Sequence, residues 1–544
     1  MKKWEIISES GGDDIIRVLL QNRGLTKKND IDIFLHPKNP FLLTPADVGI
    51  DEKQLAKAIS RIKKAIKNKE SIVVYADYDA DGIAAGTIMW ETLHSLGANV
   101  MPYIPHRVEE GYGLSQRGID SIIESYHPTL IVTVDHGITG KDKIEYAKTL
   151  GIDVIVTDHH TKPDSLPDCI IIHTTQLCGA GVSWFVSKEL TQKMNGEHIA
   201  LAAIGTVADL VPLLGANRAV VKFGLQAINV TTRVGLNALL LESGSTKGEV
   251  RVYDISHVLA PRINAMGRLE HGMDALRLLC TNQEDRAMLL ARKLSITNKE
   301  RQQLTMDSSD HAKQSVVLTH PDGKLKKLLF IADVSYNQGI IGLVAGRLVE
   351  EYYLPSIVLA IGPDISKASA RSITGFNIVE AIRGCSDLLL EVGGHPMAAG
   401  FTVLTKNLEA LRQRLEHIAE DTIEDDVLKR SIKIDLDIPF ESITEGLWND
   451  IKNLEPFGFG NVEPVFSTHE VTVVDHRVVG KAGKHLKLKV RKGKITIDAI
   501  AFGLGSLVNE LQPRVPVDIA YSIDMNTWNG RSSLQLKIKD IRVL

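Results

Sequence analysis

The sequence predicts an α/β protein: a catalytic domain on a parallel sheet, a second α/β domain joined to it by a long helix, and a small C-terminal β-barrel. Three observations carry this. Short β-branched runs alternate with helical patterns between residues 71 and 157, an order that forces parallel crossovers. A long polar segment of helical spacing follows from Thr281 to about Gln314. The last ~110 residues are short alternating strands separated by turn residues.

The elements follow in order. Met1 to about Asp51 reads as an N-terminal extension with short helices, and Glu52 to Asn68 as a helix carrying Leu55, Ile59, Ile62 and Ile66 at helical spacing. Ser71–Ala76 is an apolar run of the kind buried on both faces of a parallel sheet. Helices are expected over Ile83–Leu96, Ser115–Ser125 and Lys141–Leu150, and strands over Asn99–Ile104, Thr129–Val134 and Asp153–Thr157. After the connecting helix, strands Leu328–Ile331, Ser356–Leu359 and Lys367–Arg371 surround a helix over Ile340–Tyr352. Glu420–Asp426 reads as an acidic linker. Five barrel strands are expected at Val471–Val474, His485–Val490, Thr496–Phe502, Val517–Ile523 and Ser533–Ile538. Domain bounds of 1–51, 52–215, 216–325 (a helical connector with a phosphate-contact loop), 326–425 and 430–544 follow.

Composition excludes several classes. With 44% hydrophobic and 24% charged side chains in 544 residues, the chain can bury large cores, so a disordered chain is excluded. No apolar run reaches the ~20 residues of a membrane helix. Met1-Lys2-Lys3-Trp4-Glu5 meets an acidic residue before any apolar core, so no signal peptide is expected. Cys169, Cys178, Cys280 and Cys385 form no C-x-x-C pair, which fits a reducing cytoplasm. From Val471 onward 13 Lys and Arg face 6 Asp and Glu, whereas the whole chain carries −4. An acidic body with a basic tail suits metal binding in one part and polyanion binding in another, although a solvated basic face has the same composition.

In open α/β sheets, ligands bind outside the carboxyl ends of the strands. Here three strand ends carry Asp77-Tyr78-Asp79-Ala80-Asp81-Gly82, Asp135-His136-Gly137 and Asp158-His159-His160. Each aspartate alone can cap a helix. Crowded together, they repel unless cations or protons neutralise them. Carboxylates with one or two imidazoles suit Mn²⁺ or Mg²⁺, and two such ions would activate a water and hold a phosphate for in-line attack. Gly82 and Gly137 would let the backbone turn tightly. Asp209, a lone acid ending an apolar helical run, is a fourth contributor and by itself only a helix stop.

The order D-x-D-x-D-G, D-H-G, D-H-H and G-T-V-A-D resembles the motifs of the DHH phosphoesterase superfamily, and GGHPMAAG (Gly393–Gly400) its DHH-associated domain. Within the superfamily, ARSITGFN (Ala370–Asn377), APRINAMGRLE (Ala260–Glu270), EPFGFGNVEPVF (Glu455–Phe466) and the basic barrel resemble the RecJ family. The resemblance runs from about Glu52 to Leu544. It implies that 52–215 is the DHH catalytic domain, 326–425 the DHH-associated domain and 430–544 an OB-like single-strand-binding domain. It implies that Asp79, Asp81, Asp135, His159 and Asp209 ligate two Mn²⁺ or Mg²⁺ ions. Asp135 would bridge them, and Asp77 would stand beside them as a ligand or a neighbour of one. His160 would touch the scissile phosphate, with Asp158 orienting it as the second catalytic group. Tyr75 occupies a position where wider relatives often carry a metal-binding His. Arg107, Arg268, Ser369 and Arg371 would recognise a 5′-phosphate, with Gly394 and His395 at the backbone. Outside the family, these arginines read as surface ion-pair partners and GGHPMAAG as a tight strand-to-helix turn.

In the tail, Lys481, Lys484, Lys487, Lys489, Arg491, Lys492 and Lys494 surround one hairpin, with Phe502, Tyr521 and Trp528 beyond it. Basic grooves with aromatic platforms suit single strands. The aromatics serve a core equally well, Phe502 above all, and His485 reads as a strand-surface residue. The resemblance implies a 5′→3′ exonuclease releasing mononucleotides from single-stranded DNA in repair and recombination. It further implies a single-strand-binding protein and a helicase as partners; a monomer is the default expectation, and the cytoplasm follows from the cysteine usage above. Two other readings compete: a phosphoesterase of short oligoribonucleotides or cyclic dinucleotides, which would need no barrel, and a DNA-binding adaptor with a dead metal site.

Overall fold

The computed structural model describes residues 2–8, 14–511, 515–528 and 530–543. Its strands are β1 (Lys3–Ser8), β2 (Ser71–Ala76), β3 (Asn99–Tyr103), β4 (Leu130–Val134), β5 (Asp153–Asp158), β6 (Ile170–His173), β7 (Leu329–Asp333), β8 (Ser356–Ala360), β9 (Ile365–Arg371), β10 (Leu389–His395), β11 (Ala398–Leu404), β12 (Ser431–Asp437), β13 (Phe466–Val479), β14 (His485–Lys492), β15 (Ile495–Ala501), β16 (Pro516–Trp528) and β17 (Arg531–Val543). The helices that carry or support functional groups are α1 (Ala80–Ser95), α2 (Gly179–Thr191), α3 (Gly196–Ala208), α4 (Ala260–Leu269), α5 (Glu284–Thr319) and α6 (Ile341–Tyr352). The chain divides into two compact units: Met1–Lys38, Pro212–Arg218 and Lys429–Leu544 form one, Asn39–Val211 and Ala219–Leu428 the other.

The larger unit holds two sheets. The first has order β3-β2-β4-β5-β6, with every neighbouring pair parallel. Ile72, Val73, Val74, Tyr75 and Ala76 are all fully buried, because helices cover both faces and no polar alternation is needed. The fifth strand, β6, was not expected; it is only four residues long, three isoleucines and a histidine. Helix α1 begins at Ala80, three residues earlier than the apolar spacing suggests, because Asp79 caps it. Gly82 therefore sits inside a helical turn, and its role is close approach: a Cβ there would lie 2.6 Å from the Asp77 carbonyl oxygen. Gly137 does take a left-handed conformation, φ +115°.

Helix α5 leads to the second sheet, order β10-β11-β9-β8-β7, in which only β7–β8 is parallel. GGHPMAAG forms the antiparallel hairpin β10–β11, so the strand-to-helix turn is corrected. The acidic stretch from Glu420 is corrected too: the helix Leu408–Thr422 runs into it, burying Leu411, Leu415 and Ala419, before the chain loosens.

In the smaller unit β13-β14-β15-β17-β16 closes on itself through β13–β16, giving a five-stranded barrel. Leu486, Leu488 and Val490 of β14 point into its core while Lys489 and Arg491 are exposed. Tyr521 is fully buried, its hydroxyl 2.8 Å from Thr468 Oγ1. Phe502 is 60% exposed, just past the end of β15, with its ring edge-on to His485 at 5.3 Å; its expected core role is corrected. The Trp528 side chain lies outside the described residues. The N-terminal segment contributes more than short helices: β1 pairs in parallel with β12, some 430 residues away, which no local pattern reveals.

Candidate metal centre

The first acidic cluster is arranged by hydrogen bonds that its own backbone demands. Asp79 Oδ1 accepts from the amides of Asp81 and Gly82, at 2.9 and 3.0 Å, as the cap of α1. Asp77 Oδ1 accepts from the Tyr78 amide at 2.8 Å. Asp81 reaches across to the start of α2, where its two oxygens accept from the Gly179 and Ala180 amides at 2.7 and 2.9 Å. A helix N-terminus favours such an anion. Glycine is required at two contacts here: a Cβ on Gly205 would collide with Asp81 Oδ1, and one on Gly179 with Asp135 Oδ1.

The other strand ends converge on the same place. Asp135 follows β4 in a left-handed conformation, φ +68°, and its amide donates to Thr157 O at 3.0 Å. His159 Nε2 lies 3.1 Å from Asp135 Oδ1, 3.7 Å from Asp209 Oδ2 and 3.9 Å from Asp81 Oδ2. Asp158 is buried. Its Oδ1 accepts from the amides of His159 and His160 and from His160 Nδ1 at 2.8 Å, and its Oδ2 from the Ile138 amide. Both oxygens are thus engaged in holding its own loop and the His160 ring. His136 turns away, its Nε2 3.0 Å from Tyr75 O, and burial holds its pKa down to about 4. Tyr75, packed against Tyr103 and His136, stays in the core and offers no ligand.

The electrostatics are those of a cation site. Burial and then mutual repulsion push the carboxyls of Asp77, Asp79 and Asp135 upward, and Asp209 to about 8. Burial depresses His159. His160 is opposed by burial too, but the hydrogen bond and charge of Asp158 raise it to about 9. Asp135 Oδ1 and His159 Nε2 are buried and make no well-aligned hydrogen bond, although they face each other at 3.1 Å. Three ligand sets lie within 4.8 Å of mutual reach: Asp77, Asp79 and Asp135; Asp81, His159 and Asp209; Asp135, His159 and His160. The first set is all oxygen and the second adds one imidazole, donors that fit Mn²⁺ or Mg²⁺.

A guanidinium group adjoins this cluster. The Arg107 guanidinium stands 5.0 Å from the centre of the Tyr78 ring. Arg268, on the last turn of α4, donates to Gly339 O at 3.0 Å, and Arg371 donates to Ser369 Oγ at 3.2 Å. Arg268 is in electrostatic reach of Arg107, Arg371 and Asp79. Across the sheet Arg371 pairs with Ala398 and through it with His395, while Ser369 pairs with Gly400 and through it with Gly393. Opposed residues share a face. His395 therefore lies on the Ser369–Arg371 face, bordered by glycines. Gly394 pairs with Ala399, which pairs in turn with Ala370; both alanines are buried, while Gly393 and Gly394 are exposed.

Other residues went unread in the sequence. Asn264 Oδ1 accepts from the Ala80 amide at 2.7 Å, between the two aspartates of α1, and a Cβ on Gly267 would collide with Tyr78 O. Helix α4 thus buttresses the acidic turn. The Tyr112 hydroxyl lies 3.1 Å from His160 Nε2. Both segments stood out only for their arginines. Beside Tyr112 opens a cavity of about 560 Å³ whose lining includes Gly113, His136, Lys143, Lys367 and Glu391, from both α/β parts of this unit.

Family models match three stretches: the DHH family N-terminal domain over 71–206, the DHHA1 domain over 326–421 and the RecJ OB domain over 434–540. The chain is 36% identical to the single-stranded-DNA-specific exonuclease RecJ of Bacillus subtilis over 541 residues, 97% of this chain and 68% of that protein. The chain belongs to the RecJ family. RecJ of Thermus thermophilus is 33% identical, with 96% and 74% of the two chains covered. The structure of Thermus thermophilus RecJ in complex with Mn²⁺ superposes with a TM-score of 0.84 at 29% identity, over 99% of this chain and 79% of that one. The Mg²⁺ complex gives 0.79 at 28% identity, over 99% and 78%. The two α/β parts and the barrel are those of a RecJ protein, and among the described residues no helix is long and apolar enough to cross a membrane.

Proposed function

We propose that the protein is a metal-dependent exonuclease that hydrolyses single-stranded DNA from the 5′ end to mononucleotides, in DNA repair and recombination. The observation that carries this reading is the pair of buried atoms Asp135 Oδ1 and His159 Nε2, which face each other without a well-aligned hydrogen bond, set among four further carboxylates. Asp79, Asp81, Asp135, His159 and Asp209 would hold two Mn²⁺ or Mg²⁺ ions, with Asp77 alongside. Bound there, the ions supply a water of lowered pKa and offset charge on the attacked phosphate. Asp158 keeps His160 protonated, so its imidazolium donates to a phosphate oxygen. Tyr112 steadies the same ring. Arg107, Arg268, Ser369 and Arg371 hold the 5′-phosphate by paired charge-assisted hydrogen bonds, which sets polarity. His395, with Gly393, lets the strand backbone approach that face. The cavity between the α/β parts admits one strand. The outward basic face of the barrel tracks the remaining phosphates without reading bases.

The partner is thus a single strand with a 5′ end. We further propose that the enzyme acts as a cytoplasmic monomer, fed by a helicase and a single-strand-binding protein. Digestion of end-labelled oligonucleotides with Mn²⁺ or Mg²⁺ tests the main reading. Mononucleotide release from the 5′ end of single strands is expected; release from the 3′ end, or equal attack on duplexes, would overturn it.

A further inference from the structure

The argument that assigns cations to the carboxylates applies with opposite sign to the arginines. Beyond Arg107, Arg268 and Arg371 stand two more: Arg301 on α5 and Arg347 on α6. Arg301 is in electrostatic reach of both Arg268 and Arg347. Helices α5 and α6 pack together, and α5 packs on α4, so the array is built on one rigid corner. The start of α6 closes it: Arg268 donates to Gly339 O just before that helix, and a Cβ on Gly342 in its first turn would lie 2.8 Å from Ser369 Oγ and 3.1 Å from Arg371 Nη2.

Among the described residues none of these five arginines makes an ion pair. Arg268, Arg301 and Arg371 donate only to neutral acceptors: Gly339 O, Asn298 Oδ1, and Ser369 Oγ with Ala370 O. Arg301 Nε is buried and has no partner at all. A desolvated guanidinium among others of its kind is costly unless an anion completes the group. A terminal phosphate carries about −1.5 to −2 and matches roughly two guanidiniums. Arg107, Arg268 and Arg371 already supply that match, which leaves the buried Arg301 Nε without an anion.

We propose that Arg301, supported by Arg347, forms a second phosphate subsite next to the terminal-phosphate pocket. Its ligand is a phosphoryl group one further step from the scissile bond. Two sources share that chemistry: the outer phosphates of a 5′-di- or triphosphate end, and the terminal monophosphate of a strand bound one nucleotide out of register, whose first phosphodiester then fills the terminal-phosphate pocket. The proposal rests on the reading of Arg107, Arg268, Ser369 and Arg371 as a terminal-phosphate pocket.

The test measures kcat/KM for the first cleavage on single strands bearing a 5′-hydroxyl, monophosphate or triphosphate, with wild type, Arg301→Met, Arg301→Lys and Arg347→Met. For a polyphosphate end, Arg301→Met lowers kcat/KM on the triphosphate about tenfold more than on the monophosphate, one charge-assisted contact's worth. Arg301→Lys and the exposed-site Arg347→Met give smaller losses of the same sign and guard against misfolding of the methionine variant. For the out-of-register source, wild type instead releases some dinucleotide from 5′-monophosphate strands and Arg301→Met does not. Equal effects on all three ends, with no change in product size, overturn the subsite. If wild type itself ignores whether the 5′ end is phosphorylated, the pocket reading beneath it fails first.

Discussion

Asp81 shows how little freedom a single side chain has here. Both oxygens are held by the first amides of α2, and at Gly205 there is no room for a Cβ beside one of them. Gly205→Ala is therefore expected to destabilise by about 1–3 kcal/mol through overpacking and to weaken Mn²⁺ binding, read by denaturant titration and calorimetry. The facing pair Asp135 and His159 makes a second prediction. Asp135→Ala lowers cleavage by at least about a hundredfold, as loss of a ligand should exceed loss of a ligand's support, yet keeps strand binding. An electrophoretic shift beside an end-label assay separates the two effects. The carboxyls also set a pH dependence. Asp209 is raised from 3.8 to about 8, so without metal the folded state holds its proton more tightly than the unfolded chain. That stability is fully present below about pH 4 and lost as pH rises through about 8. Denaturant midpoints in a chelator should fall across that window, and saturating Mn²⁺ should flatten the fall. A flat profile in the chelator would contradict the crowding of these groups.

At the level of elements, α4 performs two tasks: Asn264 and Gly267 brace the turn that presents Asp79 and Asp81, and Arg268 extends from its end to Gly339 O, beside the proposed 5′-phosphate pocket. Asn264→Ala strands the Ala80 amide at a cost of about 1–3 kcal/mol. It should raise the Mn²⁺ concentration for half-maximal activity more than the KM for DNA; the reverse split would assign Asn264 to the strand. Why α4 escaped notice is physical: a cap from 184 residues away has no local signature. The parallel strands were legible because burial on both faces writes a continuous apolar run, and their acidic ends lay where the sheet rule puts ligands. Strand β6 was too short to stand out. The β10–β11 hairpin was hidden because glycines carry no alternation. Phe502 was misjudged because a large ring in a β-branched run reads as core until the strand is known to end at Ala501.

For the molecule as a whole, the basic tail predicts salt sensitivity. Each phosphate neutralised on a single strand contributes about −0.7 to the slope of log K against log salt. Replacing Lys487, Lys489 and Arg491 with Glu should flatten that slope for long strands, measured by fluorescence anisotropy, and slow the digestion of very short oligonucleotides much less. Charge reversal is preferable to deletion, since β1 pairs with β12 and Arg218, held by the carbonyls of Phe34, Leu454 and Glu455, is buried in the same unit. That last feature reaches further. Residues 212–218 belong with the two chain ends, yet they begin three positions after Asp209. The barrel module is thus threaded through the sequence in three strips, one immediately behind a residue of the acidic cluster. A chimaera made by swapping only residues 429–544 would inherit a mismatched middle strip, so exchange of this module between relatives has to be coordinated at all three places.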